Sequence, residues 1–272
     1  MLRHCAVIGD PAAHSLSPAI HRAGYAVNGL DIDYEACTVA PADLDRFVAD
    51  RVSDPTWVGL SVTAPHKEAI VALGDPDEPT RLVGGGNTMV FGEGRPRIHN
   101  TDVPGFGVAW RAHGLAAPRS AAILGNGATA RSIVLALAGL GTRDVVVLAR
   151  RPERAVGLVE LATLLGLRAE VRTLGEAPGT VDLVASTIPV AAAAPHAAAL
   201  AAAAGAVFDV VYDPWPTPLT GAAADAGIPV LSGLDLLAGQ AVDQFFLLTG
   251  ARVTFDACLS AAGRELKRRA AL

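Results

Sequence analysis

Along the first hundred positions, short apolar runs alternate with amphipathic ones. Residues 3–8 form an apolar run that ends in Gly9-Asp10-Pro11, which predicts a strand and a turn. Ser17-Pro18 then supplies an N-cap and a proline at the first helical position, predicting a helix over 18–28. The same alternation predicts a strand at 33–39, a helix at 41–51 opened by Pro41, a strand at 57–63 and a helix at 65–73. Residues 74–86, rich in Gly, Pro and Asp, read as a loop. Strand-like pieces follow near 87–91 and 96–100, and a helix over 103–113 leads into a second pattern.

That second pattern is cleaner. An apolar strand at 121–124, a Gly-rich turn, an apolar helix at 128–140 and a strand at 144–149 form a βαβ unit of about 30 residues. Further strands are predicted at 168–173, 181–186, 206–211 and 229–231, with helices between them, and two helices follow Leu234. Fully apolar strands separated by helices predict a parallel sheet covered on both faces. The expected fold class is α/β, in two domains.

Length supports two domains, because 272 residues exceed the size of one typical domain. With 51% hydrophobic and 18% charged residues, the chain has the composition of a folded protein. Lys plus Arg number 22 against 27 Asp plus Glu, a net charge of −5, which argues against nucleic acid as a partner. Cys5, Cys37 and Cys258 are scattered, with no CxxC or Cys/His cluster, so neither a metal site nor a disulfide framework is expected. Free thiols suit a reducing cytoplasm. The N-terminus runs straight into a strand without a signal-peptide layout. The Ala-rich stretch 191–207 is too weakly hydrophobic, and too interrupted by Pro195 and His196, for a membrane span.

The chemistry begins at Gly125-Asn126-Gly127-Ala128-Thr129-Ala130, which fits G-x-G-x-x-A between a strand and a helix. Gly125 permits the tight turn, Gly127 lets the backbone approach a pyrophosphate, and Ala130 lets the helix pack on the strand. The free N–H groups and positive dipole end of the helix then face the phosphates. An NAD site usually carries an acid at the end of the second strand. Here that position reads Ala149-Arg150-Arg151-Pro152-Glu153-Arg154, and guanidinium groups suit a 2′-phosphate, so NADP is expected over NAD.

Three further motifs lie at expected strand ends or helix starts, where α/β proteins place ligand groups: Ser15-Leu16-Ser17-Pro18, Thr63-Ala64-Pro65-His66-Lys67, and Asn100-Thr101-Asp102 with Asn87-Thr88 before it. Each alone has a structural explanation. Ser17 suits an N-cap, Lys67 a solvent-facing side chain, Asn87 a turn, and Asp102 a cap for the helix at 103. Beside a dinucleotide domain they suit alcohol–carbonyl interconversion, which needs a general acid/base at the oxygen while hydride moves to or from the nicotinamide. A Lys67–Asp102 pair can play that part, and the Ser15 and Ser17 hydroxyls can hold a carboxylate.

HSLSP, SVTAPHK, GGGNT, NTD, GNGATA, STIP (186–189), YDPWPTPL (212–219) and SGLDLLAGQA (232–241), in this order, resemble the shikimate dehydrogenase family over nearly the whole chain. The last two segments look especially like actinobacterial members. The resemblance implies NADPH-dependent, reversible reduction of 3-dehydroshikimate to shikimate, towards chorismate and the aromatic amino acids. It implies an N-terminal α/β substrate domain over 1–104 and a Rossmann-type NADP-binding domain with a parallel sheet over 105–234. C-terminal helices over 235–272 would return to the substrate domain, with a cleft between the two domains.

It further implies Lys67 and Asp102 as the catalytic pair. Ser15, Ser17 and Tyr212 would bind the substrate carboxylate, and Thr63, Asn87, Asn100 and Gln240 would bind ring hydroxyls or order the site. Gly125 to Ala130 (Asn126, Gly127, Ala128 and Thr129 included), with Arg150, Arg151, Arg154, Thr187, Ile188 and Gly233, would hold NADP(H). The implied ligands are small molecules, with no metal, membrane or nucleic acid, and the implied assembly is a monomer or homodimer.

The sequence departs from the family pattern at Ala149 and Asn126, at Pro104 after NTD, at Ser61 beside the catalytic strand, and at Asp235. Two alternatives remain. A quinate/shikimate or aminoshikimate dehydrogenase would share the architecture, although Arg150 and Ser17 favour NADP and shikimate. An inactive NADP-binding sensor would share the fold, although it would not need both Lys67 and Asp102.

Overall fold

In the first strand, β1 (Arg3–Gly9), Ala6 and Ile8 enter one buried cluster while Cys5 and Val7 enter another. A period-two run with both faces apolar therefore sits inside the sheet and not at its edge. The computed structural model describes residues 2–271; positions 1 and 272, the outer limits of the expected domains, lie outside the described residues. After β1 come α1 (Ser17–Asn28), β2 (Ile32–Thr38), α2 (Leu44–Val52), β3 (Trp57–Val62), β4 (Asp75–Pro76), α3 (Glu78–Val83), β5 (Thr88–Val90), β6 (Arg97–His99) and α4 (Asp102–Ala112). The strands form a six-stranded sheet of order β2-β1-β3-β5-β6-β4. β1 runs parallel to β2 and β3, whereas β5 runs antiparallel to β3 and β6.

Two local expectations are corrected. The helix expected over 65–73 is a series of turns followed by a short 3-10 helix, Ala69–Leu73. Contacts from outside the segment set its path: the buried His66 ring bonds the Val39 carbonyl at 2.7 Å, and Gly86 N–H donates to the Lys67 carbonyl. The loop expected over 74–86 contains β4 and α3. Asp77 caps α3 by accepting from Thr80 N–H at 2.9 Å, and Gly84 ends it in the left-handed conformation at φ 70.

The second pattern folds as β7 (Ser120–Leu124), α5 (Ala128–Leu140), β8 (Asp144–Ala149), α6 (Val156–Leu164), β9 (Arg168–Thr173), β10 (Leu183–Ser186), α7 (Val190–Ala193), α8 (Ala197–Ala203), β11 (Val207–Asp209), α9 (Pro218–Asp225) and β12 (Val230–Ser232). Its six strands are all parallel, in the order β12-β11-β10-β7-β8-β9. The order reverses between β7 and β10, the doubly wound arrangement whose switch point receives ligands at the carboxyl ends of the strands. The Ala-rich stretch packs as small buried surfaces: Ala193, Ala197, Leu200 and Ala201 join the core beside Leu124 and Val184. Among the described residues no helix is long and apolar enough to cross a membrane.

Two helices complete the chain, α10 (Gly233–Thr249) and α11 (Phe255–Ala270). By compactness the chain divides into one unit of Met1–Gly105 with Leu237–Leu272 and another of Phe106–Leu236, so a boundary falls inside α4 and another inside α10. Within the first unit, the start of α4 touches α10 backbone to backbone. A Cβ on Gly105 would lie 2.4 Å from the Gln240 nitrogen, and one on Gly239 would lie 2.2 Å from the Gly105 carbonyl oxygen. Only glycine fits such an approach, and the approach is what brings Gln240 to the end of α4. Gly105→Ala should therefore destabilise the protein by about 1–3 kcal/mol through overpacking. Urea denaturation measures this; an unchanged midpoint would show that the two helices have room to part.

Candidate active site and cofactor cradle

Lys67 lies in the turn after β3, and Asp102 begins α4. The Lys67 ammonium donates to Asp102 Oδ2 at 2.5 Å, with side-chain exposures of 18% and 6%. Asp102 is therefore not the helix cap that its position suggests. Asn100 takes that place, accepting from Val103 N–H through Oδ1 while its Nδ2 donates to the Gly85 carbonyl. Pro104 sits in the first turn of α4, where a missing N–H costs nothing, and the helix runs on through it.

Asn87 completes the cluster. Its Nδ2 donates to Asp102 Oδ1 at 3.0 Å and to Thr101 Oγ1 at 2.9 Å, and lies 3.2 Å from Gln240 Oε1. Thr101 N–H returns a bond to Asn87 Oδ1 at 2.8 Å. Lys67, Asn87, Asn100, Asp102 and Gln240 thus converge in the first unit, and all but Lys67 are buried. A buried carboxylate needs this company, since desolvation must be offset by pairing and hydrogen bonds.

The other expected substrate groups in this unit lie near strand ends. Thr63 follows β3 and packs against Gly9, where a Cβ would meet its methyl at 2.5 Å. Ser15 Oγ accepts from Ser17 N–H at 3.2 Å, which tightens the loop entering α1. Ser17 does not act as the expected side-chain cap: it is the first residue of α1, is buried, and makes no cap bond with its side chain. Ser15 is held from behind by Arg269 of α11, which donates to the carbonyls of His14 and Ser15 at 2.9 and 3.0 Å.

In the second unit, Gly125 adopts φ 103 and faces Thr187, whose Oγ1 would lie 2.5 Å from an added Cβ. Thr187 Oγ1 donates to the Leu124 carbonyl at 2.7 Å, so the two loops flanking the switch point brace each other. Above Gly127 there is open space, with nothing within 4 Å of an added Cβ, and Ala128 and Thr129 open α5 with no side chain capping it. Ala130 is fully buried against the sheet. The turn therefore offers uncapped N–H groups to a phosphate.

Beside it lies a recess of about 350 Å³, lined by Gly125, Asn126, Arg150, Arg151, Arg154 and Ile188 among others, with no carboxylate in its wall. Asn126 Nδ2 donates to the Arg154 carbonyl at 2.6 Å, tying the turn to the arginine segment. Three guanidinium groups around a recess free of acids fit a 2′-phosphorylated ribose and oppose the acid-bonded ribose of an NAD site.

Tyr212 lies on the 210–217 segment, where Gly233 makes room for it: a Cβ there would stand 1.8 Å from the Val210 carbonyl oxygen and 3.0 Å from the Tyr212 ring. The segment is anchored by Asp209, buried at the end of β11, which accepts from Thr217 Oγ1 at 2.8 Å and Val211 N–H at 3.2 Å. Burial pushes its carboxyl above the usual range. Asp235 has a local explanation: its carboxylate accepts from Ser232 N–H and Oγ at the start of α10 and pairs with His113 at 2.8 Å.

The sequence model of the "Shikimate dehydrogenase substrate binding domain" matches residues 7–89. A protein named shikimate dehydrogenase (NADP(+)) from Methylobacterium radiotolerans is 40% identical over 262 residues, covering 90% of this chain and 91% of the relative. The chain belongs to the shikimate dehydrogenase family. The fold agrees: the crystal structure of Mycobacterium tuberculosis shikimate dehydrogenase superposes with a TM-score of 0.89 at 36% identity, over 96% of this chain and 99% of that one. A shikimate 5-dehydrogenase from Thermus thermophilus, solved in complex with NADP(H) and shikimate, gives 0.83 at 32% identity, over 97% and 99%.

Within this family fold, several residues near the cluster carry no motif signal of their own. Thr101 was visible only as the middle of NTD. Arg269 is one of several basic residues in the last turn of α11, where the helix dipole alone would explain it. His21 and Tyr34 sit in helix and strand patterns that read as core. Both are fully buried, with their rings stacked at 4.4 Å. Burial lowers the His21 pKa to about 4, and its Nε2 meets Gln244 Oε1 at 3.1 Å.

The folded protein therefore holds His21 neutral, whereas the unfolded chain protonates it below about 6.5. The unfolded state binds the extra proton, so this contribution is complete above pH 6.5 and is lost as pH falls towards 4. Lowering the pH from 6.5 to 4.5 should cost about 2 kcal/mol more in the wild type than in His21→Phe, a difference readable from chemical denaturation at the two pH values. Equal losses would show that His21 is not the group that charges.

Proposed function

We propose that the protein catalyses the reversible, NADPH-dependent reduction of 3-dehydroshikimate to shikimate, a step towards chorismate and the aromatic amino acids. The observation that carries the proposal is the desolvated Lys67–Asp102 pair at 2.5 Å, in a chain whose other unit offers an acid-free, arginine-lined recess. When bound, NADPH supplies the hydride. Lys67 Nζ gives its proton to the carbonyl oxygen as negative charge develops there, and Asp102 Oδ2 holds Nζ in place for that transfer. In the oxidative direction the same pair takes the hydroxyl proton.

Ser15 and Ser17 bind the substrate carboxylate, with Tyr212 assisting, so an anionic substrate is held without a basic patch. Thr63 and Gln240 face ring hydroxyls. The internal hydrogen bonds of Asn87 and Asn100 support an ordering role for both: Asn87 orients Asp102, and Asn100 starts α4. Gly125 to Ala130 cradle the pyrophosphate, and Arg150, Arg151 and Arg154 take the 2′-phosphate. Thr187, Ile188 and Gly233 lie along the ribose and nicotinamide. The free thiols of Cys5, Cys37 and Cys258 fit a reducing cytoplasmic setting.

Lys67→Ala should lower kcat by about 10²–10⁴-fold while NADP⁺ binding, followed by calorimetry, stays near the wild-type value. Unimpaired turnover would reject the acid/base assignment. Absorbance assays crossing shikimate and quinate with NADP⁺ and NAD⁺ test the substrate and cofactor together. Activity should concentrate on shikimate with NADP⁺. Arg150→Ala should raise the KM for NADP⁺ by about 10–100-fold and leave that for NAD⁺ nearly unchanged. Robust turnover of quinate with NAD⁺ would move the protein to the quinate-using branch.

A further inference from the structure

A head-to-tail hydrogen-bond chain runs through the first unit from the buried Tyr34 phenol to the Asp102 carboxylate. Backbone groups fix its sense at two points. Thr101 N–H can only donate, so Asn87 Oδ1, at 2.8 Å, accepts and Nδ2 must face Asp102 Oδ1. The Asn87 carbonyl can only accept, so Gln244 Nε2 donates to it at 3.0 Å and Oε1 is left as an acceptor.

With both amides fixed, each hydroxyl has one arrangement. Tyr34 donates to Ser61 Oγ, and Ser61 donates to Gln244 Oε1 at 2.7 Å. Gln244 Nε2 also donates to Thr88 Oγ1 at 2.8 Å, and Thr88 donates to Asn87 Oδ1 at 3.0 Å. The chain ends on the one member that has no proton to pass on, the carboxylate paired with Lys67. Every member is buried, so a broken link leaves a polar group without a substitute from water.

We propose that Gln244 and Thr88 are positioning residues for the reaction. Neither needs to touch substrate. Gln244 spans β3 and β5 from α10, and Thr88, held by Gln244, joins Thr101 in donating to the Asn87 oxygen and so helps hold the amide in the orientation that Thr101 N–H fixes. That amide in turn keeps Asp102 Oδ1 occupied, so that Oδ2 alone is presented to Lys67. The Ser61 position gains a role in the same chain, as the hydroxyl that fits between Tyr34 and Gln244.

The proposal rests on Lys67 and Asp102 being the acid/base pair, and its test separates the two. Thr88→Val keeps the shape of the side chain and removes the donor to Asn87, whereas Thr88→Ser keeps that donor. With shikimate and NADP⁺, Thr88→Val should lower kcat about tenfold, leave the KM for NADP⁺ unchanged and preserve the melting temperature within a few degrees. The primary deuterium isotope effect, read with shikimate deuterated at the carbon that is oxidised, should rise as hydride transfer becomes slower relative to product release. Thr88→Ser should return kcat and isotope effect to near wild type.

A purely structural role would move the melting temperature and leave the isotope effect alone. Should Thr88→Val fail to fold, Gln244→Met breaks the chain one link further out and is read in the same way. Wild-type kcat and isotope effect in a folded Thr88→Val, or equal impairment in Thr88→Ser, would overturn the proposal. Overturned in this way while Lys67→Ala is inactive, the positioning role alone fails; an active Lys67→Ala removes the acid/base reading beneath it.

Discussion

A carboxylate and an ammonium taken out of water must be paired and hydrogen-bonded, or they destabilise the fold that holds them. The arrangement around Asp102 follows from that constraint. One oxygen goes to Lys67 and the other to Asn87, and Asn87 is in turn oriented by Thr101 and Thr88. These residues come from three places in the chain: the turn after β3, the start of β5, and the junction of β6 with α4. The antiparallel pairing of β5 with both β3 and β6 brings the three together. α10 adds Gln240 and Gln244, and can do so because Gly105 and Gly239 let two helices meet at backbone distance. The ion pair, the sheet pairing and the two glycines depend on one another.

The second unit answers to a different constraint, the burial of a parallel sheet on both faces. Its strand order reverses beside β7, and the loops after β7 and β10 are the ones that must carry ligand groups. Gly125 and Thr187 meet there, and no side chain fits on Gly125 without displacing Thr187. The arginines after β8 stand beside the same turn, with Asn126 bonded to the Arg154 backbone. At the end of β11, the buried Asp209 fixes the segment that carries Tyr212. Cofactor chemistry here is a property of strand ends, and the sheet topology decides which ends are neighbours.

Much of this was legible in the sequence. Helix Ala128–Leu140 and strands Asp144–Ala149 and Arg168–Thr173 stand where apolar periodicity puts them, because each is a local pattern bounded by Gly or charge. The Gly-rich turn, the arginines after β8, and the Lys and Asp of the pair are marked by residue type and by position at element ends. The sequence likewise contains the cap of α3, Asp77 with Gly84 closing it, but a segment crowded with Gly and Pro hides a helix of six residues. Tertiary structure decided what depends on neighbours distant in sequence. The 65–73 segment has helical composition, yet the bonds of His66 to Val39 and of Lys67 to Gly86 bend it into turns. Asp102 and Ser17 both read as caps; Asp102 spends its side chain elsewhere because a lysine stands within reach, and Ser17 falls inside α1, where its side chain caps nothing. Tyr34, Ser61, Thr88 and Gln244 lie up to 210 positions apart in a chain whose local patterns mark them only as strand or helix residues; hydrogen bonds are short and directional, so only the fold that brings them within 3 Å gives them an orientation and a common end at Asp102.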